Sequence, residues 1–134
     1  MWIYKDKEFT SEDIGDYVAF VCEITNLITG QKYLGKKRFQ QLRTLKPLKN
    51  KSRKRRVRKE SDWKAYFGSN NSLNEDVAKL GKENFKREIL RLCKNLTEAS
   101  YYELKHQVEA DALLSEDYYN EFIGVKIHSR GLKV

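Results

Sequence analysis

Residues 33–38 bring together side chains suited to binding a phosphate group. They read YLGKKR, so that a tyrosine is followed at once by a glycine and three cations. The glycine lets the backbone approach a ligand closely, and the cations can neutralise phosphate charge. This combination indicates a phosphate contact at the end of a strand, although an ordinary hairpin with a basic exit would carry the same residues.

The tyrosine belongs to the second strand of a predicted β-hairpin. Residues 18–25 are mostly β-branched, aromatic or small and apolar, and residues 31–34 resume the extended pattern. Between them, Asn26 tolerates a left-handed backbone and Gly30 supplies a positive φ, so the chain can reverse within five residues. The hairpin therefore positions Tyr33.

A third strand and two helices complete the predicted domain. Residues 86–93 favour a strand beside the hairpin. One helix is predicted to begin with a capping box from Ser72 to Glu75, and a longer one to run from Thr97 to about Leu114. The longer helix has a predicted core-facing stripe of Tyr101, Leu104, Val108 and Ala112.

Positive charge is concentrated in one segment. Residues 24–59 contain fourteen of the 27 lysines and arginines and none of the 19 acidic residues, so the rest of the chain is net acidic. This asymmetry indicates contact with a polyanion. Residues 39–43 favour a short helix. The almost wholly cationic run 46–59 is either a disordered loop or a contact to DNA phosphates, and we expect it to be mobile without a partner.

Composition argues against several protein classes. No apolar run has the length of a membrane span, and the N-terminus lacks a secretory signal pattern, which predicts an intracellular protein. Cys22 and Cys93 are predicted to be buried thiols, with a disulfide as the minority alternative. An aromatic group stands in a polar setting and either packs under the hairpin or stacks on nucleotides. Its members are Trp63, Tyr66 and Phe67.

Three stretches of the sequence resemble the GIY-YIG nuclease family in its phage-encoded form. They are ITNLITGQKYLGKK at 24–37, SDWKAYFGS at 61–69 and LGKENFKREIL at 80–90. The resemblance implies a single domain over 1–134, with a basic insertion at about 43–60. The implied fold is of the α/β class (α+β type), with a small three-stranded, mainly antiparallel sheet flanked by helices. The implied activity is that of a DNA endonuclease that hydrolyses phosphodiester bonds.

The resemblance also assigns candidate catalytic residues. Tyr33 matches the second signature tyrosine, and Lys32 matches the lysine that precedes it in some members. Arg43 stands ten residues after Tyr33, at the family's spacing for its arginine. Asn120 matches a late asparagine that supports the site.

A single glutamate holds the metal in this family, and Glu103 is its match here. Glu98 and Glu109 are alternatives on the same predicted helix. The implied cofactor is Mg²⁺ or another divalent metal such as Mn²⁺, since hard cations of this kind prefer oxygen ligands and keep several waters.

Cys22 departs from the family pattern. It stands eleven residues before Tyr33, where the first signature tyrosine belongs. A thiol is shorter than a phenol, so either another tyrosine or Lys32 substitutes for it, or hydrolysis is impaired. In the second case the protein is a nuclease-derived module that binds DNA or a protein partner, and binding to RNA or to an acidic protein is a weaker alternative.

DNA is the expected partner, with no membrane contact, and the expected location is the cytoplasm, that of the host if the chain is phage-encoded. The expected DNA-binding residues are Lys36, Lys37, Arg38, Arg53, Lys54, Arg55, Arg56 and Arg58.

Overall fold

The computed structural model describes residues 1–50, 52–53, 55–124 and 126–133, with the side chains of residues 42–45 and 55–58 outside the description. This part of the chain forms seven strands and two α-helices. They are β1 (Trp2–Tyr4), β2 (Lys7–Phe9), β3 (Ala19–Asn26), β4 (Lys32–Arg38), β5 (Gln40–Leu45), β6 (Arg55–Glu60), α1 (Asn71–Leu80), β7 (Phe85–Cys93) and α2 (Leu96–Glu109).

Five of the described strands form the main sheet, in the order β2-β1-β7-β3-β4. β1 runs parallel to β7, and the other neighbours are antiparallel. The predicted antiparallel trio is present as β7-β3-β4 and the α+β class is confirmed, but a three-stranded sheet was too small. β2 has only three residues, which is too short for an alternating pattern to reveal it.

The two faces of β3 contribute to separate parts of the core. On the first face, Phe20, Cys22 and Ile24 join a large cluster that includes Leu73 of α1. On the second face, small side chains of β3 pack with Ala99 of α2. β3 is therefore apolar almost throughout, as is typical of a strand covered on both sides.

An aromatic cluster fills the first face. Phe20, Phe39 and Trp63 contact one another with ring centroids 4.9–6.2 Å apart. The indole nitrogen of Trp2 donates to the Trp63 carbonyl at 2.8 Å. For Trp63, core packing is therefore confirmed over nucleotide stacking.

Arg87 of β7 fixes the segment that follows β6 against the first face. Its Cζ lies 4.8 Å from the Trp2 ring centroid and 4.1 Å from that of Phe67. Its Nη1 donates to the Lys64 and Tyr66 carbonyls, each at 2.8 Å. Burial lowers the pKa of Arg87 to about 10, so that the guanidinium stays protonated at neutral pH.

β5 and β6 form a separate two-stranded antiparallel ribbon. The predicted short helix over 39–43 is wrong, because residues from Gln40 onwards pair with 55–60. The prediction that the whole run 46–59 lacks structure is also wrong for residues 55–59. Phe39 anchors the ribbon: its side chain is fully buried, its N–H donates to Val18, and its carbonyl accepts from Ser61.

The N-cap residue of each helix lies two residues before the predicted one. The Asn70 side chain accepts from the Leu73 N–H at 3.0 Å, and the Asn95 side chain accepts from the Glu98 N–H at 2.8 Å. The predicted capping box at Ser72 is therefore wrong. α2 ends at Glu109, about five residues before the predicted end at Leu114, and the chain continues as turns.

The described helices include none with the length and apolarity needed to cross a bilayer. Cys22 and Cys93 are both buried free thiols, which confirms the prediction made from composition.

We predict that Arg87→Ala lowers the free energy of unfolding by about 3 kcal/mol, because it removes two buried hydrogen bonds and two ring contacts. Urea denaturation followed by tryptophan fluorescence measures this difference. Arg91→Ala is the matched control, since Arg91 is an exposed arginine of the same strand. Equal, small losses for the two variants would contradict the structural role of Arg87.

Candidate active site

The outer edge of β4 is covered by residues 117–120, which follow α2. β4 pairs with β3 on one side only, which leaves the outward backbone groups of Lys32 and Leu34 to find other partners. The Lys32 N–H donates to Asp117, and the Lys32 carbonyl accepts from Tyr119, each at 2.8 Å. Asn120 accepts from the Leu34 N–H at 3.0 Å and donates to its carbonyl at 2.8 Å.

Tyr33 lies on the first face and is almost wholly buried. Its hydroxyl is 2.7 Å from the Ser69 Oγ. The ring passes close over two glycines: a Cβ at Gly35 would lie 2.6 Å from it, and one at Gly68 would lie 3.0 Å from it. Any larger residue at either position would displace the tyrosine, so these glycines fix where the phenol points.

Glu103 projects from α2 on the second face. Ala99 and Gln107, one turn away on each side, are the buried residues of this helix. Gln107 donates to the Leu34 carbonyl at 3.1 Å. The helix therefore presents a small residue, a carboxylate and an amide to the sheet.

The predicted core stripe of α2 is only partly correct. Tyr101 and Leu104 are half-buried, Ala112 is buried beyond the end of the helix, and Val108 is 58% exposed. The helix packs beside the backbone edge of β4, where a polar side chain such as Gln107 can satisfy a carbonyl. Apolar spacing alone therefore did not identify Ala99 and Gln107, the buried residues of this helix.

The Glu103 carboxylate is partly desolvated. Its side chain is 19% exposed, and burial raises its pKa above the ordinary value, which Lys36 partly offsets. The Lys36 Nζ lies 4.0 Å from the Glu103 Oε1 and 2.6 Å from the Ser100 Oγ.

A cleft at the edge of β4 brings the two faces together. Tyr33, Lys36, Ser69 and Glu103 line both of the adjoining cavities that make up this cleft. One cavity continues along the chain from Asn120 to Gly124. The other continues toward residues Lys37, Arg38, Ser61, Tyr66 and Ser100. A phenol, a carboxylate and an ammonium group therefore share one opening.

The structure separates Lys32 from this cleft. The Lys32 Nζ lies 3.7 Å from a carboxylate oxygen of Glu23, and Lys32 is not among the residues that line either cavity. Lys36, which we assigned to DNA binding, lies beside Glu103 instead.

Cys22 lies behind the cleft, opposite Gly35 in the register of β3 and β4. It is fully buried, and burial and then the nearby Glu103 raise the pKa of its thiol above the ordinary value. The thiol is therefore protonated and enclosed.

The remaining predicted residues lie toward the ribbon. Lys37 is 2.6 Å from the Asp62 carboxylate, and its ammonium lies 5.0 Å from the Tyr66 ring centroid. Arg38 is exposed and lines the cleft, and Arg53 is exposed beyond β5. Lys54 and the side chains of Arg43, Arg55, Arg56 and Arg58 lie outside the described residues.

The cleft offers one or two carboxylates, which suits Mg²⁺ better than a metal that needs three or more protein ligands. Among the described residues there is no group of three or more histidine, cysteine or acidic side chains that could hold a metal. Glu103 and Glu121 line the same cavity. Mg²⁺ usually takes one or two carboxylates and completes its shell with water and substrate phosphates, so this donor set suits it.

Sequence reasoning missed Ser69, Gln107 and the position of Lys36. Ser69 was inside a stretch that we singled out for its aromatic residues, but nothing local connects it to Tyr33. Gln107 gave no signal, because a polar residue on a helix is normally exposed.

A family model described as "Putative endonuclease segE, GIY-YIG domain" matches residues 2–123. The chain belongs to this GIY-YIG family. "Putative endonuclease segE" of Enterobacteria phage T4 is 32% identical over 101 residues, which are 75% of this chain and 39% of the phage protein. The chain thus spans about two fifths of the length of that relative. No solved structure gives a significant match.

The GIY-YIG match confirms the resemblance seen in the motifs. The matched residues include the whole main sheet, both helices and the segment at Asn120.

We predict that Glu103→Gln raises the melting temperature by a few degrees at neutral pH in EDTA. The pKa of Glu103 is raised in the folded protein, so ionisation above its ordinary pKa costs stability that the glutamine does not lose. The gain should vanish in acid below the ordinary pKa, where the carboxyl is protonated in both states. Thermal melting at both pH values, with Glu109→Gln as an exposed control on α2, checks this; a destabilised variant at neutral pH would contradict it.

Proposed function

We propose that this protein is a DNA endonuclease that hydrolyses phosphodiester bonds with a divalent metal, Mg²⁺ or Mn²⁺, held by Glu103. The main support is the cleft that Tyr33 and Glu103 share at the edge of β4. A phenol and a carboxylate from opposite faces of a sheet meet there beside a lysine. Membership in the GIY-YIG family gives the same class of chemistry.

The desolvated Glu103 carboxylate is the metal ligand in this proposal. A metal bound there would polarise a phosphoryl oxygen and offset the charge that develops as the ester bond breaks. The loss of hydration at Glu103 favours a positive partner, and Lys36 alone, at 4.0 Å, compensates it only partly.

Tyr33 and Lys36 serve the hydrolysis itself. The Tyr33 hydroxyl, held by Ser69, orients the attacking water. The water oxygen bonds to phosphorus, one ester oxygen leaves with its electron pair and takes a proton, and the water gives up a proton to solvent. The Lys36 ammonium neutralises the phosphate, a role that its position in the cleft favours over Lys32.

Asn120 and Gln107 act as positioning residues. Both hold the Leu34 backbone, next to Tyr33. Gln107 ties the strand that carries the phenol to the helix that carries the carboxylate, and Asn120 ties the same strand to the segment that follows this helix.

The basic ribbon would dock the DNA. Arg38 in the cleft leads directly into β5, and β6 carries further arginines. Neutralised phosphates release counterions, so this docking should be strongly salt-dependent.

A second candidate function is a DNA- or protein-binding module with impaired hydrolysis. It is favoured by Cys22, which is enclosed and protonated where the family pattern has a tyrosine. The two functions differ in whether the purified protein cuts DNA.

We expect the wild type to nick plasmid DNA in millimolar Mg²⁺ and to lose this activity in EDTA. Glu103→Ala should lower the rate by about three orders of magnitude, because the metal ligand is lost, with little change in DNA affinity. Gel assays of nicking and fluorescence anisotropy of a labelled duplex measure the two effects. Glu109→Ala is the control. DNA binding without any nicking by the wild type would favour the binding module.

We expect the ribbon to set the salt dependence of DNA binding. Replacing Arg55, Arg56 and Arg58 by glutamine should reduce the slope of log affinity against log salt by up to about 3, since up to three phosphate contacts are lost. Anisotropy titrations over a range of NaCl concentrations measure the slope. An unchanged slope would contradict the docking role. The control replaces three exposed lysines outside the ribbon: Lys5, Lys7 and Lys79.

A further inference from the structure

A second phenol, that of Tyr66, lies in the cleft and has no role in the mechanism above. Tyr66 comes from the segment between β6 and α1, and it lines the same cavity as Tyr33 and Glu103. It shares this cavity with the Tyr33 and Ser69 hydroxyls, which lie 2.7 Å from each other.

The Tyr66 hydroxyl makes a long hydrogen bond within the protein. It donates to the Lys36 carbonyl at 3.3 Å, which is long for an O–H donor. A hydroxyl in such a long hydrogen bond can donate to a better acceptor instead. Burial, then Tyr33 and Cys22, raise the pKa of Tyr66 above its ordinary value, so the group keeps that proton at neutral pH.

The surroundings of Tyr66 suit an anion. The Lys37 ammonium, which also pairs with the Asp62 carboxylate at 2.6 Å, lies 5.0 Å from the centroid of the Tyr66 ring, and Lys36 and Arg38 line the same cavity. A phosphoryl oxygen is the acceptor that three cations and a protonated phenol would attract together. The Cys22 side chain lies behind these residues and is fully buried in the core, so it cannot contact the ligand.

The backbone of Tyr66 is also held in place. Arg87 donates to the Tyr66 carbonyl at 2.8 Å, and the buried Trp63 precedes it by three residues. A donor that is fixed before the ligand arrives loses little entropy on binding, as an effective site requires.

We propose that the Tyr66 hydroxyl is a catalytic group that donates a hydrogen bond to a non-bridging phosphoryl oxygen of the bond being cut. This inference rests on the proposed endonuclease function and adds a substrate contact to it.

The test is Tyr66→Phe, which removes only the oxygen. We expect kcat to fall about 100-fold, as for loss of a transition-state donor, with KM and melting temperature almost unchanged. Tyr4→Phe is the matched control, because Tyr4 is a half-buried tyrosine of β1, at the far side of the main sheet.

Stereodefined phosphorothioate duplexes separate a substrate contact from a structural one. Sulfur accepts hydrogen bonds poorly, so the defect of Tyr66→Phe should shrink on the diastereomer that places sulfur where Tyr66 donates, and persist on the other. A defect of the same size on both diastereomers would show an indirect effect and overturn the proposal.

The remaining outcomes distinguish a failure of this inference from a failure of the endonuclease function. Cleavage by Tyr66→Phe at the wild-type rate overturns this inference and leaves the endonuclease function standing, whereas a wild type that binds DNA without cutting it overturns both. If Tyr66→Phe folds poorly, p-aminophenylalanine at this position keeps a donor and should recover part of kcat; no recovery by a folded variant overturns the proposal.

Discussion

The open edge of β4 is the constraint on which the candidate site depends. An edge strand leaves backbone N–H and C=O groups without a strand partner, and buried groups of this kind must be satisfied. Here Asn120 and Gln107 satisfy Leu34, and the backbone near Tyr119 satisfies Lys32. The strand that carries the phenol is thereby fixed to the helix that carries the carboxylate.

The opposite wall of the cleft is held by a different kind of interaction. Arg87 stacks between two rings and bonds two carbonyls of the segment that contains Tyr66. This buried cation fixes an irregular segment that has little regular secondary structure of its own. Two faces of one sheet, each locked by polar contacts to backbone, therefore converge on the same opening.

The cleft contains charges of both signs. Inside it, Glu103 carries a raised pKa and one nearby ammonium group. Lys37 and Arg38 line the cleft on the side of the ribbon, and they belong to the basic segment of an otherwise acidic chain. The segment can attract a polyanion, while the cleft keeps a carboxylate that a metal would stabilise.

The sequence by itself determined the β3–β4 hairpin, β7 and the existence of two helices. Alternation and turn chemistry are local: Asn26 accepts from two following N–H groups, and Gly30 takes a φ of 82°. The motifs also indicated the family, and the resemblance named both Tyr33 and Glu103, which line one cleft in the structure. Only the tertiary structure decided the rest, because it depends on partners distant in sequence. The β5–β6 ribbon forms only when residues 55–60 pair with residues 40–45. The buried face of α2 is decided by its packing against the edge of β4, where Gln107 bonds Leu34. Lys32 and Lys36 share one face of the strand by alternation, and only the point at which α2 crosses that strand brings Lys36 to Glu103.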